Sequence, residues 1–163
     1  MPAKKVHLLI PEKIRIANST IVKCHIDNPY DFQTDHVKKN ELRLEYNMSF
    51  NLEDKLVKID FQVDVVTDSN GENSEEAKGD FHFVFVYHVE NLQDLVTTEK
   101  ENKFELSGVL ANVLASITYS TTRGLLMVKV KGTALENFIL PVINPNTLID
   151  KAGKENEVNN LSS

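Results

Sequence analysis

The sequence predicts an α+β fold, with helices gathered on one side of an antiparallel sheet. Two observations carry this. Apolar residues recur with a period of two in long stretches of the first ninety residues, and past Asn91 the period moves toward 3.6. The 163 residues are 41% hydrophobic, enough for one domain with its own core and without disulfides or metal.

Ile14 to Ile26 alternates weakly and is rich in β-branched residues, which predicts a first strand with a break near Ala17 to Ser19. Asn28-Pro29-Tyr30-Asp31 then reads as a turn, because proline removes a ladder donor and Asn and Asp favour turns. From Glu41 the alternation is strict. Leu42, Leu44, Tyr46, Met48, Phe50 and Leu52 share one face, opposed by Arg43, Glu45, Asn47, Ser49 and Asn51. Val57, Ile59, Phe61, Val63 and Val65 repeat the pattern after Glu53-Asp54-Lys55, so the two stretches predict an antiparallel hairpin.

Ser69 to Glu76 contains Asn-Gly and three glutamates, and it predicts an exposed, flexible acidic loop. The following strand carries Phe81, Phe83, Phe85, Tyr87 and Val89 on one face. Its other face, with His82, Val84, Val86 and His88, is apolar enough to predict a place inside the sheet or at a subunit contact.

Leu106, Val109, Leu110, Val113, Leu114 and Ile117 form one helical stripe, with Ser107 as cap and Gly124 as stop signal. Residues 125–131 read as a short extra strand. Phe138 to Pro141 is extended, and Pro145 after Asn144 opens a short C-terminal helix through Leu148. Residues 1–152 are expected to form the domain, and the polar stretch from Gly153 to Ser163 a disordered tail.

The 18 basic and 24 acidic residues give a net charge of −6, which argues against nucleic acid, whose phosphates demand Lys and Arg. The run Val6 to Ile10 is far shorter than the roughly 18 residues of a spanning helix, so neither anchor nor export signal is expected. A single cysteine, Cys24, cannot pair within the chain, and the cytoplasm is the expected compartment.

No catalytic or metal constellation emerges, and no cofactor is expected. His82 and His88 share a face but stand about 20 Å apart at strand rise, too far to ligate one metal. Cys24 and His25 are neighbours on a strand and point to opposite faces. Lys131-Gly132-Thr133 lacks the glycine spacing of a phosphate loop, and no nucleophile elbow surrounds the Ser/Thr residues of the helix end.

What remains is an excess of apolar surface. The strand with Phe83 and Phe85 and the helix with Val109, Val113 and Ile117 exceed one core's needs, which predicts subunit contacts at these positions.

The helix end Ser120-Thr121-Thr122-Arg123-Gly124 and the stretch Leu140-Pro141-Val142-Ile143-Asn144-Pro145-Asn146-Thr147-Leu148 resemble the SecB family of protein-export chaperones. The resemblance implies a four-stranded antiparallel sheet with two helices. It also implies a homotetramer, a dimer of dimers, that holds unfolded preproteins without ATP and meets the translocation ATPase SecA. The client groove it implies is lined by Phe138, Ile139, Leu140, Val142 and Leu148, near the strand face of Tyr46, Met48 and Phe50. Two other functions stay open: a relative dedicated to one client such as an antitoxin, and a carrier of a small apolar ligand.

Overall fold

A computed structural model describes residues 8–98 and 103–150. The beginning of the Val6–Ile10 run and the expected tail from Gly153 onward lie outside these residues. Four long strands, β1 (Ile14–Asp27), β2 (Lys39–Asn51), β3 (Leu56–Asp68) and β4 (Lys78–Val89), form one antiparallel sheet in the order β1-β4-β3-β2. The strand of Phe81 to Val89 is therefore central, as its two apolar faces predict. Short strands β5 (Val96–Thr98) and β6 (Phe104–Leu106) pair apart from that sheet. The helix α1 (Gly108–Lys129) follows, and α2 occupies 146–150 among the described residues.

The strict alternation of β2 and β3 sets their register, because a one-residue slip would turn every apolar side chain to the other face. Tyr46 faces Phe61 and Met48 faces Ile59, with no shift from Lys39 to Asn51. The turns fit their residues: Lys55 and Asn70 adopt positive φ, and Gly71 does so at +80°. β1 is less regular. Its pairing with β4 slips at Ile16/Asn18 and at Ile21/Lys23, placing bulges at Ala17 and Val22. The first lies in the break expected near Ala17 to Ser19.

The inner face of β3 and β4 is the core. Val57, Ile59, Phe61, Val63, Val65, Phe81, Phe83, Phe85, Tyr87 and Val89 are all buried there, beneath Leu110, Leu114, Ala115 and Tyr119 of α1. The Tyr87 and Thr118 hydroxyls lie 2.7 Å apart inside this layer, so neither is left unpaired by burial. Gly79 marks a close approach. A Cβ there would stand 2.6 Å from Leu135 Cδ1, so the absence of a side chain lets the loop after α1 seat on the sheet.

Three local expectations change. Residues 125–131 are not a strand: α1 runs through Gly124 to Lys129, because Leu126 and Val130 carry the buried stripe of Leu114, Thr118 and Thr122 onward at helical spacing. That continuity outweighs the roughly 1 kcal/mol that glycine costs a helix. Leu106 belongs to β6, and the helix begins after Ser107, whose side chain accepts the Leu110 amide as the expected cap.

The acidic loop is fastened rather than free. Glu76 accepts hydrogen bonds from the Ser69 amide and hydroxyl and from the Thr67 hydroxyl. Asn73, nearly buried, exchanges two hydrogen bonds with the backbone of Gln33, tying this loop to the one between β1 and β2.

Candidate polypeptide-binding surfaces

One helix cannot cover four strands, and the two flanks of the sheet are treated differently. On the β2 side an extended strap from Phe138 to Asn144 lies over the inner face, inserting Phe138 and Leu140, while Leu148 of α2 adds to the same core. Tyr119, whose ring packs against Phe61, donates its hydroxyl to the Pro141 carbonyl at 2.6 Å. Arg123 stands over the Tyr119 ring at 5.3 Å and reaches the same carbonyl at 3.5 Å, so a cation–π contact and a shared acceptor fix the strap's midpoint. Asn112 holds its far end through the Asn146 side chain at 2.8 Å.

The strap divides the expected groove residues into two groups. Tyr46 (3% exposed), Phe138 (4%), Leu140 and Leu148 are buried in the core, whereas Ile139 (56%) and Val142 (85%) project into solvent. Met48 and Phe50 are half-buried on the same sheet face. Alternation accounts for Phe138 and Leu140 turning inward and Ile139 outward, whereas Val142, in phase with Leu140, is exposed because the strap leaves the sheet after Pro141. In this conformation the four buried residues are structural. The outward ones form the accessible part of the surface.

On the β1 side the inner face is bare. Ile16, Ile21 and Val22 are exposed, and so are Met127 and Val128 on the last turns of α1. A cavity of about 170 Å³ opens here between Ser19, Thr20 and Ile21 of β1 and Leu125 of α1, with Phe83 and Phe85 as its floor. The expected contact residues divide in the same manner. Phe83 and Phe85 are almost fully buried, Val113 and Ile117 are half-buried, and Val109 (63%) is exposed. The two bulges put apolar residues on both phases of β1, which blurs its alternation and hides the stripe from a reading of period alone.

Burial dominates the electrostatics of the inner side. It raises the Tyr46 and Tyr119 hydroxyls above their ordinary range and pushes Tyr87 up to about 12, so all three stay protonated. The Tyr46 hydroxyl is buried with no partner among the described residues. The outer face of the sheet carries ionic groups around Val84 and Val86 of β4. His82 lies 3.0 Å from Asp60, Lys23 pairs with Asp80, and Asp64 sits directly across the ladder from Asp80. Desolvation, reinforced by the Asp80 charge, raises the Asp64 carboxyl. Among the described residues no cluster of His, Cys, Asp or Glu could hold a metal ion, and no helix is long and apolar enough to cross a membrane.

No protein-family model matches the chain. No curated protein matches it either. Among solved structures, the chain is similar to the Mycobacterium tuberculosis Rv1957 SecB-like chaperone, in complex with a ChAD peptide from the Rv1956 HigA1 antitoxin. That likeness has a TM-score of 0.56 at 11% identity and covers 82% of this chain and 91% of the other. A Streptococcus agalactiae protein of unknown function shares 13% identity over 79% of this chain and 97% of its own, with a TM-score of 0.36, too low to carry an argument. The first likeness, together with the four-stranded sheet, the long helix and the short second helix, shows that this chain has a SecB-like fold.

Proposed function

We propose that this protein is an ATP-independent chaperone that holds unfolded polypeptide on the strap side of its sheet. The observation that carries the reading is the pair Ile139 and Val142, held out to solvent on a strap whose neighbours Phe138 and Leu140 are locked into the core. Apolar side chains on a fixed support bind many sequences, since dispersion and desolvation ask for no single partner pattern. Such a holdase acts by mass action on the unfolded state and needs no nucleotide.

The bare flank of β1 and α1 gives the second half of the proposal, self-association into a homotetramer built as a dimer of dimers. Apolar surface on Ile16, Ile21, Val22 and Val128 is what an obligate interface uses, and Phe83 and Phe85 would support it from below. The proposed clients are unfolded preproteins bound for export, with the cytoplasm as the compartment and SecA as the onward partner. A dedicated client is the second reading. It is favoured by the antitoxin peptide held by the similarly folded Rv1957 chaperone. The cavity beneath β1, at about 170 Å³, is smaller than the roughly 300–1,000 Å³ of small-molecule sites, and the larger cleft of about 530 Å³ beside Val109, Asn112, Val113 and Asn146 lies wide open to solvent, so neither favours a ligand carrier.

The test is suppression of aggregation of a slow-folding client at stoichiometric chaperone. The expected result is a delay that ATP does not change, and failure to delay aggregation would remove the proposal. A survey of exported proteins against a candidate antitoxin in the same assay separates the two client readings.

A further inference from the structure

The two edges of the sheet are not equivalent. β1 is blunted by two bulges, a common device against edge pairing. β2 runs for 13 residues with no bulge and no proline. The direction of its backbone groups follows from the ladder. The Thr67 amide donates to Ala77 and the Val89 amide to Lys55, so odd-numbered residues bond between β3 and β4. Alternation then sends the even-numbered groups of β3 to β2, and the register of Lys39 with Asp68 makes the odd-numbered residues of β2 their partners. The amides and carbonyls of Asn40, Leu42, Leu44, Tyr46, Met48 and Phe50 therefore point outward, and none has a hydrogen-bond partner among the described residues.

The same even-numbered residues carry the apolar side chains of the inner face. Leu42, Leu44, Met48 and Phe50 are only half-buried, as though a neighbouring row were missing. The strap begins beside this edge, where Asn137 and Phe138 share a small cavity with Asn40. The odd residues Glu41, Arg43 and Glu45 place alternating charges on the outer face.

The geometry points to β2 as the edge that receives the client, by addition of an extended segment as a fifth strand. This rests on the polypeptide-binding reading above and names its mode. Backbone hydrogen bonds to the even residues supply affinity that does not depend on client sequence. Alternate client side chains fall beside Leu44, Met48 and Phe50, and charges at the intervening positions join the exposed pairs Lys39–Glu41 and Arg43–Glu45. The occupant is an unfolded segment rather than a second copy, because the edge is too small for a stable dimer. At strand rise it is about 44 Å long and one sheet about 10 Å thick, on the order of 450 Å² against roughly 800 Å² per partner in standard interfaces.

The probe is a synthetic 13-residue peptide alternating leucine or valine with threonine, carrying lysine, glutamate and lysine at three successive polar positions. Hydrogen exchange of the full chain is read residue by residue with and without it. Strand addition is expected to slow exchange at least ten-fold at the amides of Leu42, Leu44, Tyr46, Met48 and Phe50. Two versions N-methylated at the two alternate sets of residues are then compared, and at least one is expected to bind ten-fold or more weakly. If the peptide binds without protecting those amides, strand addition is overturned and polypeptide binding stands. If both methylated versions bind as tightly as the parent, the same conclusion holds. If the parent peptide does not bind, both readings fall. A rise to twice the chain mass as the β2 amides become protected would assign the edge to a second copy and overturn the proposal.

Discussion

Tyr119 and Pro141 are joined by a 2.6 Å hydrogen bond that crosses from the long helix to the strap, with Arg123 stacked on the tyrosine and reaching the same carbonyl. This shared acceptor fixes the midpoint of an extended segment that has no strand partner among the described residues. Tyr119→Phe keeps the ring against Phe61 and removes only the donor. A loss of about 1 kcal/mol in denaturant unfolding is expected, in line with the net worth of one hydrogen bond. Exchange at the Phe138 amide, which donates to the Leu135 carbonyl at 2.8 Å where the strap begins, should rise in the same variant. An unchanged unfolding midpoint together with unchanged exchange would show that the strap is held elsewhere.

Tyr46 offers the opposite case. Its hydroxyl is buried and unpartnered among the described residues, so Tyr46→Phe is expected to leave stability equal or raise it by up to about 1 kcal/mol. Phe138→Ala, by contrast, empties a packed site and should lose about 3–5 kcal/mol. Thermal and denaturant melts of the pair check both signs.

Much of this arrangement is legible in the sequence, and the reasons for the remainder are local. β2, β3 and β4 declare themselves because each turns its apolar residues to one face, so that Tyr46, Phe61 and Phe83 fall in phase. α1 is legible up to Gly124, but a lone glycine resembles a stop signal, and only the seating of Leu126 and Val130 in the core carries the helix past it. Of the groove set, only some members are expected to face solvent, and the sequence does not tell Ile139 and Val142, which do, from Tyr46, Phe138, Leu140 and Leu148, which are buried. Their burial depends on how the strap folds back, a long-range contact that periodicity does not encode. The β1 stripe was hidden because bulges at Ala17 and Val22 shift its phase twice.

Two carboxyls give stability a pH signature of opposite signs. Hydrogen bonds from Ser69 and Thr67 hold Glu76 below its ordinary value, so its contribution is present above the unfolded pKa and is lost as pH falls through the lowered folded one. Asp64 is raised, by desolvation first and the Asp80 charge second, so its ionised form opposes folding at neutral pH and this opposition is relieved on acidification. Glu76→Gln is expected to destabilise at pH 7 and Asp64→Asn to stabilise, with both differences shrinking as pH falls below the ordinary carboxylate range. Unfolding midpoints measured from pH 7 down to pH 3 read both trends.

Gly79→Ala tests how tightly the loop after α1 closes on the sheet. The new methyl would meet Leu135 and the ring of Phe81 at 2.6 Å and Val65 at 2.9 Å, so side chains on three elements must move. A loss of about 1–3 kcal/mol is expected from overpacking. A melt indistinguishable from the parent would show that Leu135 yields freely.

The proposed client surface is the set of accessible apolar side chains on the strap rather than the buried ones beside them. The direct measurement is the affinity of the double variant Ile139→Ser, Val142→Ser for an unfolded client, taken with its melting temperature. Both residues are exposed, so the melt should stay within a few degrees of the parent, since surface changes of this kind fall within about 0.5 kcal/mol. Client affinity should fall at least ten-fold. Full affinity in a folded double variant would contradict the strap as the client surface.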